Sequence, residues 1–200
     1  GAGPTGVELA GALAEIRRTV LKREYRELDS ERMQIWLIDS NDRVLKNFSE
    51  QASAYALKYL QDMGVNVRFG ARVTHFDGEL ITFQDGSTMD SRTLIWAAGV
   101  KGMTLPGLEA AEVPKANRYN VDRYSELEGV PGVYALGDVA LMAEGKWERG
   151  HPQVAPVAIQ QADMLVKNFL MIESGTANKA LREFSYKDKG AMATVGRNLA

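Results

Sequence analysis

The sequence contains no cysteine and only two histidines among its 200 residues. The lack of cysteine excludes disulfides, thiolate metal sites and dithiol redox chemistry within this chain. Because His75 and His151 lie far apart in the sequence and no thiolate can join them, the pattern predicts no metal site.

Neither sign of charge predominates in the composition. The 24 Lys and Arg residues nearly balance the 26 Asp and Glu residues, for a net charge of −2. Without a basic stripe we expect no nucleic acid as a partner. No apolar run approaches the roughly 18 residues that a transmembrane helix needs. A hydrophobic fraction of 45% and a length of 200 residues are typical of one or two globular domains.

The most informative feature that is present is a glycine-rich start, GAGPTG, at residues 1–6. Its G-x-G-x-x-G pattern lets the chain turn tightly, lets the backbone approach a pyrophosphate, and lets a helix pack closely on its strand. The spacing of apolar residues predicts a helix over residues 4–29, whose N-terminus would offer free N–H groups to phosphates. The predicted dinucleotide-binding residues of this segment are Gly1, Gly3, Pro4, Thr5 and Gly6.

Asp39 ends an apolar run at residues 34–39 that predicts a buried parallel strand. A carboxylate there would accept hydrogen bonds from the adenosine ribose and repel a 2′-phosphate, which favours NADH over NADPH. The interval after the glycines exceeds the usual roughly 20 residues, because a charged helix extension at residues 17–32 intervenes. The alternative role for Asp39 is a strand-end cap.

Glu8 is the second candidate carboxylate, in the first turns of the predicted helix. A helix N-terminus stabilises a negative charge, so Glu8 either caps the helix or lies near a bound nicotinamide.

The rest of the chain predicts further strands and helices. Residues 50–63 predict a second helix that ends at Gly64, and Asp77-Gly78 predicts a hairpin between residues 72–76 and 79–83. The apolar run at residues 93–97 predicts a buried strand that ends at Ala98 and Gly99. The other predictions are an irregular segment at residues 100–132, strands at 65–69 and 133–136, a helix at 154–172, and two short strands within 184–200.

Gly137 and Asp138 follow the predicted strand at residues 133–136, where open α/β sheets bind their ligands. Gly137 would admit a close phosphate or ribityl chain, and Asp138 would accept a ribityl hydroxyl. The Gly-Asp pair alone is a weak signal. It becomes strong because it follows a predicted nucleotide-binding domain and the Ala-Ala-Gly strand end at residues 97–99 at this distance.

Six segments taken together carry a resemblance to a known family: GAGPTGVELAGALAE, IWLID, TLIWAAGV, VYALGD, QVAPVAIQQA and FSYKDKGAMATVGR. They resemble the two-dinucleotide-domain flavoprotein oxidoreductases of the pyridine nucleotide-disulfide oxidoreductase superfamily. More narrowly, they look like the type II (alternative) NADH dehydrogenases, which pass electrons from NADH through FAD to quinone. The match covers essentially the whole chain in family order.

The resemblance implies an α/β fold in which a Rossmann-like, three-layer NADH-binding domain is inserted in a second, FAD-binding domain. Residues 1–98 would be the NADH-binding domain without its first strand. Residues 99–200 would be the second part of an incomplete FAD-binding domain and the start of the C-terminal region. The helix at 154–172 would direct its N-terminus at the flavin ring and stabilise the reduced flavin.

The resemblance also assigns roles to individual residues, by their match to family motifs. Lys189 and Gln160, with Gln161 beside it, would lie near the flavin and quinone; the alternative for the two glutamines is that they are ordinary exposed helix residues. Met192 would line the same apolar tunnel unless it simply fills the core. Pro156 stands where the family has its first helix glutamine; proline fits a first helical turn, but a quinone contact at that position is lost. The residues implied for catalysis are Glu8, Gln160 and Lys189. The implied cofactor-binding residues are Gly1, Gly3, Pro4, Thr5, Gly6, Glu8, Asp39, Ala98, Gly99, Gly137, Asp138, Ala155, Pro156, Val157 and Lys189.

The implied cofactors are FAD and NADH, and the implied partner is a quinone. The resemblance further implies peripheral attachment of the full-length protein to the cytoplasmic face of the inner (plasma) membrane. A first FAD fingerprint is expected before Gly1, and a membrane-attachment region is expected after Ala200. We therefore expect the 200-residue chain alone to be soluble, to bind NADH weakly or moderately, to retain no FAD and to be inactive. An apolar face left exposed would leave homodimer formation open.

Four other classes share parts of this pattern. Disulfide reductases and sulfide:quinone oxidoreductases need cysteines and are disfavoured, although the cysteine pair of a disulfide reductase would normally lie upstream of this segment. A flavoprotein reductase of a small electron-transfer protein stays open, because its hydride step needs no cysteine. A non-catalytic NADH-binding sensor stays open as well.

Overall fold

A computed structural model of the protein describes residues 1–109, 111, 113, 116–175 and 181–197. They form two compact units. The first contains Gly1–Gly99 with the described part of Ala191–Ala200, and the second contains the described part of Val100–Gly190. The assignment of these parts of the chain to NADH and FAD stays a prediction.

The first unit begins with a helix in three consecutive segments: α1 at Pro4–Glu15, a π-helical segment at Ile16–Leu21 and α2 at Lys22–Glu24. The hydroxyl of Thr19 donates to the Glu15 carbonyl at 2.6 Å. A regular helix would give that carbonyl to a backbone N–H, so the competing hydroxyl accompanies the widened hydrogen-bond ladder. The predicted helix over residues 4–29 is therefore five residues too long, since Tyr25 leaves the helical conformation.

A parallel strand pair and its crossover helix form the core of this unit. Strand β1 (Ile35–Ile38) pairs with β2 (Val65–Arg68), with Ile35 opposite Val65, and α3 (Glu50–Asp62) connects them. The core side chains come from both helices and both strands. The fully buried members of this core are Val7, Ala14, Val44 and Leu60. These elements confirm the predicted strands at 34–39 and 65–69 and the predicted helix at 50–63.

An antiparallel sheet follows in the order β3 (Val73–Phe76), β4 (Leu80–Phe83) and β5 (Thr88–Asp90). The side chain of Asp77 accepts the N–H groups of Glu79 and Leu80, and Gly78 has a φ of +106°. These features confirm the predicted hairpin at Asp77-Gly78.

The second unit contains one long helix, α4 (Ala155–Glu173), and a short parallel pair of β6 (Tyr119–Asn120) with β7 (Ala140–Leu141). Its core gathers Tyr119, Met142, Met164 and Phe184. The helix confirms the prediction for residues 154–172, and its first turn accommodates Pro156.

Three predicted strand regions are wrong. Residues 93–97 form no strand, and Ile95 and Trp96 are 50% and 65% exposed. Residues 133–136 make only an isolated bridge between Tyr134 and Glu126, and residues 184–197 form no strand. An apolar or alternating pattern makes a segment suitable for one face of a sheet, but the segment becomes a strand only if a neighbouring strand pairs its backbone N–H and C=O groups. Within the described residues, the segment at 93–97 pairs with no strand, and the segments at 133–136 and 184–197 make only isolated backbone bonds, such as those of Ala135 to Ser125 and of Phe184 to Arg123.

Arg17 connects the π-helical segment to the end of α3. Its guanidinium donates to the carbonyls of Met33 and Met63 at 3.0 Å and of Gly64 at 3.2 Å. Gly64 has a φ of +80°, and a Cβ there would lie 2.4 Å from the Arg17 guanidinium. Gly64 therefore ends the helix, as predicted, and also leaves room for Arg17.

Replacing Arg17 by alanine should destabilise the first unit, because three carbonyls lose a charged donor. We expect a loss of about 1–3 kcal/mol in the free energy of unfolding, measured by urea denaturation. The matched control is Arg18→Ala, since Arg18 is an exposed neighbour. Equal losses in the two variants would contradict this role of Arg17.

Candidate functional site

The glycine-rich loop closes tightly on itself but leaves one side open. A Cβ on Gly6 would lie 1.8 Å from the Gly1 carbonyl oxygen, whereas a Cβ on Gly3 would have no atom within 4 Å. Gly3 is the extended residue before α1, and Pro4 and Thr5 are exposed in its first turn. Gly6 therefore permits close packing, and Gly3 leaves the approach to the helix N-terminus free for an anion.

Asp39 lies at the end of β1 and is hydrogen-bonded to this loop. One carboxylate oxygen accepts the N–H of Ala2 at 2.5 Å, and the other accepts the backbone and side-chain N–H groups of Asn41 at 2.7 Å. Burial alone would raise the pKa of Asp39, but these donors outweigh it and hold the pKa below its ordinary value. The carboxylate is therefore ionised, with unused acceptor capacity for a ribose hydroxyl. The bonds from Ala2 and Asn41 are those of a strand-end cap, and they leave Asp39 able to accept a ribose hydroxyl as well. The two predicted roles of Asp39 are therefore compatible.

The segment that contains Ala98 and Gly99 runs beside the start of the loop. A Cβ on Gly1 would lie 2.6 Å from the Ala97 carbonyl oxygen and 2.7 Å from the Ala98 Cα, so only glycine fits there. Ala98 and Gly99 are exposed, and Gly99 has a φ of +94°. A cavity of about 410 Å³ extends from Gly1 between β1 and residues 89–96. Gly1, Gly3, Asp39 and Ala98 thus come together in one region.

Glu8 points to a different partner than its predicted ones. Its carboxylate accepts the N–H of Thr194 at 3.1 Å and the Thr194 hydroxyl at 3.3 Å, and no side chain caps α1. The predicted capping role is therefore wrong, because the carboxylate lies a full turn along the helix. A role for Glu8 near the nicotinamide stays a prediction.

In the second unit, three residues hold the turn at Gly137 and Asp138 against α4. The N–H of Gly137 donates to the Gln161 side chain at 2.7 Å, and the Gln153 side chain donates to the Asp138 carbonyl at 3.1 Å. Gly137 has a φ of +71°, and a Cβ there would lie 3.1 Å from the Ala158 Cβ. The turn presents the exposed carboxylate of Asp138 beside the first turns of α4.

The start of α4 contains the next three predicted residues. Ala155 and Pro156 lie in the first turn, after the extended Val154, and Val157 is buried. Proline has no N–H to lose at this position, so the helix begins normally and its other N-terminal N–H groups keep their orientation.

Gln160 and Gln161 are neighbours with different partners. Gln161 is 1% exposed and bonds Gly137, whereas Gln160 donates to the Lys187 carbonyl and accepts the Lys187 N–H, both at 3.0 Å. The amide of Gln160 thus fixes the segment that leads to Lys189, which is itself exposed. Met192 is 73% exposed and falls in the first unit, so it does not fill the core.

The contacts of Gln153 and Thr194 and the inward orientation of Gln161 were not predicted from the sequence. A signal for Gln161 was present: it lies four residues after Val157 and four before Leu165, on the buried face of α4. A polar residue at an apolar position of a helix predicts a buried hydrogen bond. The other two contacts join distant parts of the chain, and no local pattern announces them.

The described residues contain neither a metal-binding cluster nor a membrane-spanning helix. In that part of the chain, no three side chains of His, Asp or Glu gather in a way that could bind a metal ion. No described helix combines the length and apolar character that crossing a membrane requires.

Comparison with known proteins identifies several relatives. The type II NADH:quinone oxidoreductase Ndh of Mycobacterium tuberculosis is 37% identical over 206 residues, which cover 98% of this chain and 43% of the relative. The type II NADH:quinone oxidoreductase of Haemophilus influenzae is 29% identical, with the same coverage. This chain therefore spans less than half the length of these relatives. They confirm the predicted resemblance.

Solved structures agree on the fold. NDH2 from Plasmodium falciparum, in complex with NADH, superposes with a TM-score of 0.86 at 19% identity, over 98% of this chain and 55% of that one. A ferredoxin reductase from Rhodopseudomonas palustris gives a TM-score of 0.61 at 18% identity, over 92% of this chain and 41% of that one. The predicted α/β class is confirmed. Residues 1–162 match the family described as pyridine nucleotide-disulphide oxidoreductase, and the chain belongs to that family.

Proposed function

We propose that this chain carries the NADH-binding part and a portion of the FAD-binding part of an NADH:quinone oxidoreductase. The observation that carries the proposal is the cradle at the start of α1, closed at Gly6 and open at Gly3. The quinone as acceptor is supported by the names of the Mycobacterium tuberculosis and Haemophilus influenzae relatives.

The first unit would bind NADH. Its residues fit a dinucleotide, because the side of Gly3 is free and the N–H groups of the first turn of α1 can receive a pyrophosphate. The ionised Asp39 would accept a ribose hydroxyl and repel the 2′-phosphate of NADPH. Ala98 and Gly99 would border the bound nucleotide, and Glu8 would lie toward the nicotinamide.

The second unit would hold part of the FAD. Gly137 leaves space at a left-handed turn, and Asp138 offers an exposed carboxylate to a ribityl hydroxyl. Ala155, Pro156 and Val157 would direct the N-terminus of α4 at the flavin, where its partial positive charge favours negative charge. When bound there, FAD would supply the chemistry of hydride acceptance and two-electron transfer. Residues 1–98 would form the NADH-binding domain, and residues 99–200 would form the second part of the FAD-binding domain and the start of the C-terminal region.

Lys189 would donate a hydrogen bond to a quinone oxygen, and Gln160 would fix the segment from which Lys189 projects. The Gln160 amide is already bonded to both backbone groups of Lys187, so it acts through that segment. Because a membrane quinone is apolar, the site would face a lipid surface. We propose peripheral attachment of the full-length protein to the cytoplasmic face of the inner (plasma) membrane.

The deciding experiment measures NADH oxidation by the full-length protein, anaerobically, with a soluble quinone analogue or ferricyanide as acceptor. We expect turnover with both acceptors and ping-pong kinetics with the quinone. Lys189→Gln should lower kcat/KM for quinone by roughly tenfold, as loss of a charged hydrogen bond implies, and leave ferricyanide reduction unchanged. Lys167→Gln, an exposed lysine of α4, is the matched control. Ferricyanide reduction without quinone turnover would point to a protein acceptor or a sensor and would refute the proposal.

Replacing Asp39 by asparagine should weaken the preference for NADH over NADPH. Removal of the negative charge relieves its repulsion of a 2′-phosphate, so the ratio of kcat/KM for the two nucleotides should fall by about tenfold or more. Asp42→Asn serves as the control, because Asp42 is exposed and pairs with Lys46. An unchanged ratio in the Asp39 variant would count against its assigned role.

Gly6→Ala should lower the stability of the protein, whereas Gly3→Ala should lower its affinity for NADH. A methyl group on Gly6 meets the Gly1 carbonyl, so we expect a stability loss of about 1–3 kcal/mol. A methyl group on Gly3 meets no protein atom, so stability should hold while NADH affinity falls. Thermal denaturation and NADH titration of the full-length protein separate the two effects. Equal melting temperatures of the two variants would contradict the packing argument.

A further inference from the structure

Glu144 and His151 form a partly buried pair in the second unit, in a loop that none of the proposed roles uses. The two side chains lie 2.7 Å apart, between a Glu144 carboxylate oxygen and Nε2 of His151, and His151 is only 2% exposed. These side chains contact the segment at residues 184–187, which leads to Lys189, so they affect the position of that lysine.

The Glu144 carboxylate bonds the segment directly. It accepts the N–H of Tyr186 at 3.2 Å, and its other oxygen pairs with Arg123 at 3.4 Å. Arg123 in turn donates from its guanidinium to the Phe184 carbonyl, and its own carbonyl accepts the N–H of Phe184 at 2.8 Å. The backbone of Phe184 and Tyr186 is thus fixed at three points.

The imidazole of His151 packs within three aromatic rings. It meets Phe184 edge-on at 5.2 Å and Tyr186 at 5.7 Å between ring centroids, with Trp147 at 6.1 Å. The carbonyl of His151 accepts the guanidinium of Arg118 at 3.1 Å. The ring is therefore held in one orientation, with its edge toward Glu144.

The charges of the pair are defined by the same contacts. Burial lowers the pKa of His151, and the charges of Arg123 and Arg118 add to that effect against the opposing Glu144. Burial acts to raise the pKa of Glu144, but the bonds from His151, Ser185 and Tyr186 and the charge of Arg123 outweigh it, and its pKa is lowered. A neutral imidazole thus donates from Nε2 to a carboxylate, while its buried Nδ1 has no hydrogen-bond partner among the described residues.

We propose that Glu144 and His151 are positioning residues for Lys189 in quinone reduction, an inference that rests on the proposed function. The segment is held at its start by this pair with Arg123 and at Lys187 by Gln160 on α4. Lys189 lies two residues beyond the second attachment and is exposed. Loss of the Glu144 bond frees the Tyr186 N–H, which lies between Phe184, held by Arg123, and Lys187, held by Gln160. The path to Lys189 is then less well defined, and small misplacements of a positioned group are costly.

The test uses the full-length protein with the variants Glu144→Ala and His151→Phe. We expect kcat/KM for a soluble quinone analogue to fall by roughly tenfold, while ferricyanide reduction and KM for NADH stay within about twofold of wild type, a spread of about 0.4 kcal/mol. Glu144→Gln, which can still accept the Tyr186 N–H, should recover part of the loss. Glu148→Ala, an exposed glutamate of the same loop, is the matched control.

Hydrogen exchange at the amides of Tyr186 and Lys187 supplies a readout independent of turnover. Exchange should accelerate in Glu144→Ala and not in Glu148→Ala. Unchanged exchange with unchanged quinone kinetics would overturn the inference, and so would an equal loss with both acceptors. Failure of the proposed function looks different, because the wild-type protein itself would then reduce ferricyanide but no quinone.

Discussion

The close approach of the Gly1 carbonyl to residue 6 is the constraint from which the first unit follows. A side chain at residue 6 would collide with that carbonyl, so only glycine lets the chain turn directly into α1. The turn places the N–H of Ala2 against Asp39, and that bond connects the loop to the end of β1. One backbone contact thus sets the position of the helix N-terminus, the loop and the carboxylate relative to one another. A dinucleotide site needs all three in the same place.

Local patterns predicted most of the helices, the hairpin and the parallel pair, because each depends on residues near in sequence. The helix at 50–63 and the turn at Asp77-Gly78 are of this kind. The strand predicted at residues 93–97 failed because its formation depends on a neighbour, which no local pattern contains. The first helix widens to a π-helical segment where the Thr19 hydroxyl competes for a backbone carbonyl, and it ends at Glu24. Such competition depends on a side-chain rotamer, which no sequence pattern specifies.

The candidate site divides in the same way. The proximity of the glycine-rich loop to Asp39 could be predicted because their spacing is itself the signal. The role of Glu8 was not, since its partner, Thr194, lies 186 residues away. The two glutamines of α4 differ only in helical phase: Gln161 falls on the buried face with Val157, and Gln160 falls beside it. Polar residues on a buried face are read correctly only when the partner that satisfies them is known.

Helix α4 contacts both the turn at Gly137 and the segment at Lys187 through adjacent residues. Gln161 and Ala158 fix the turn of Gly137, and Gln160 holds Lys187. Successive helical residues are separated by about 100°, so a rotation of α4 about its axis displaces both segments at once. A single-residue insertion between Ala158 and Gln160 would rotate both glutamines away from their partners. Because adjacent residues of one helix hold both the turn at Gly137 and the segment at Lys187, the two keep their relative positions as long as the register of α4 is unchanged.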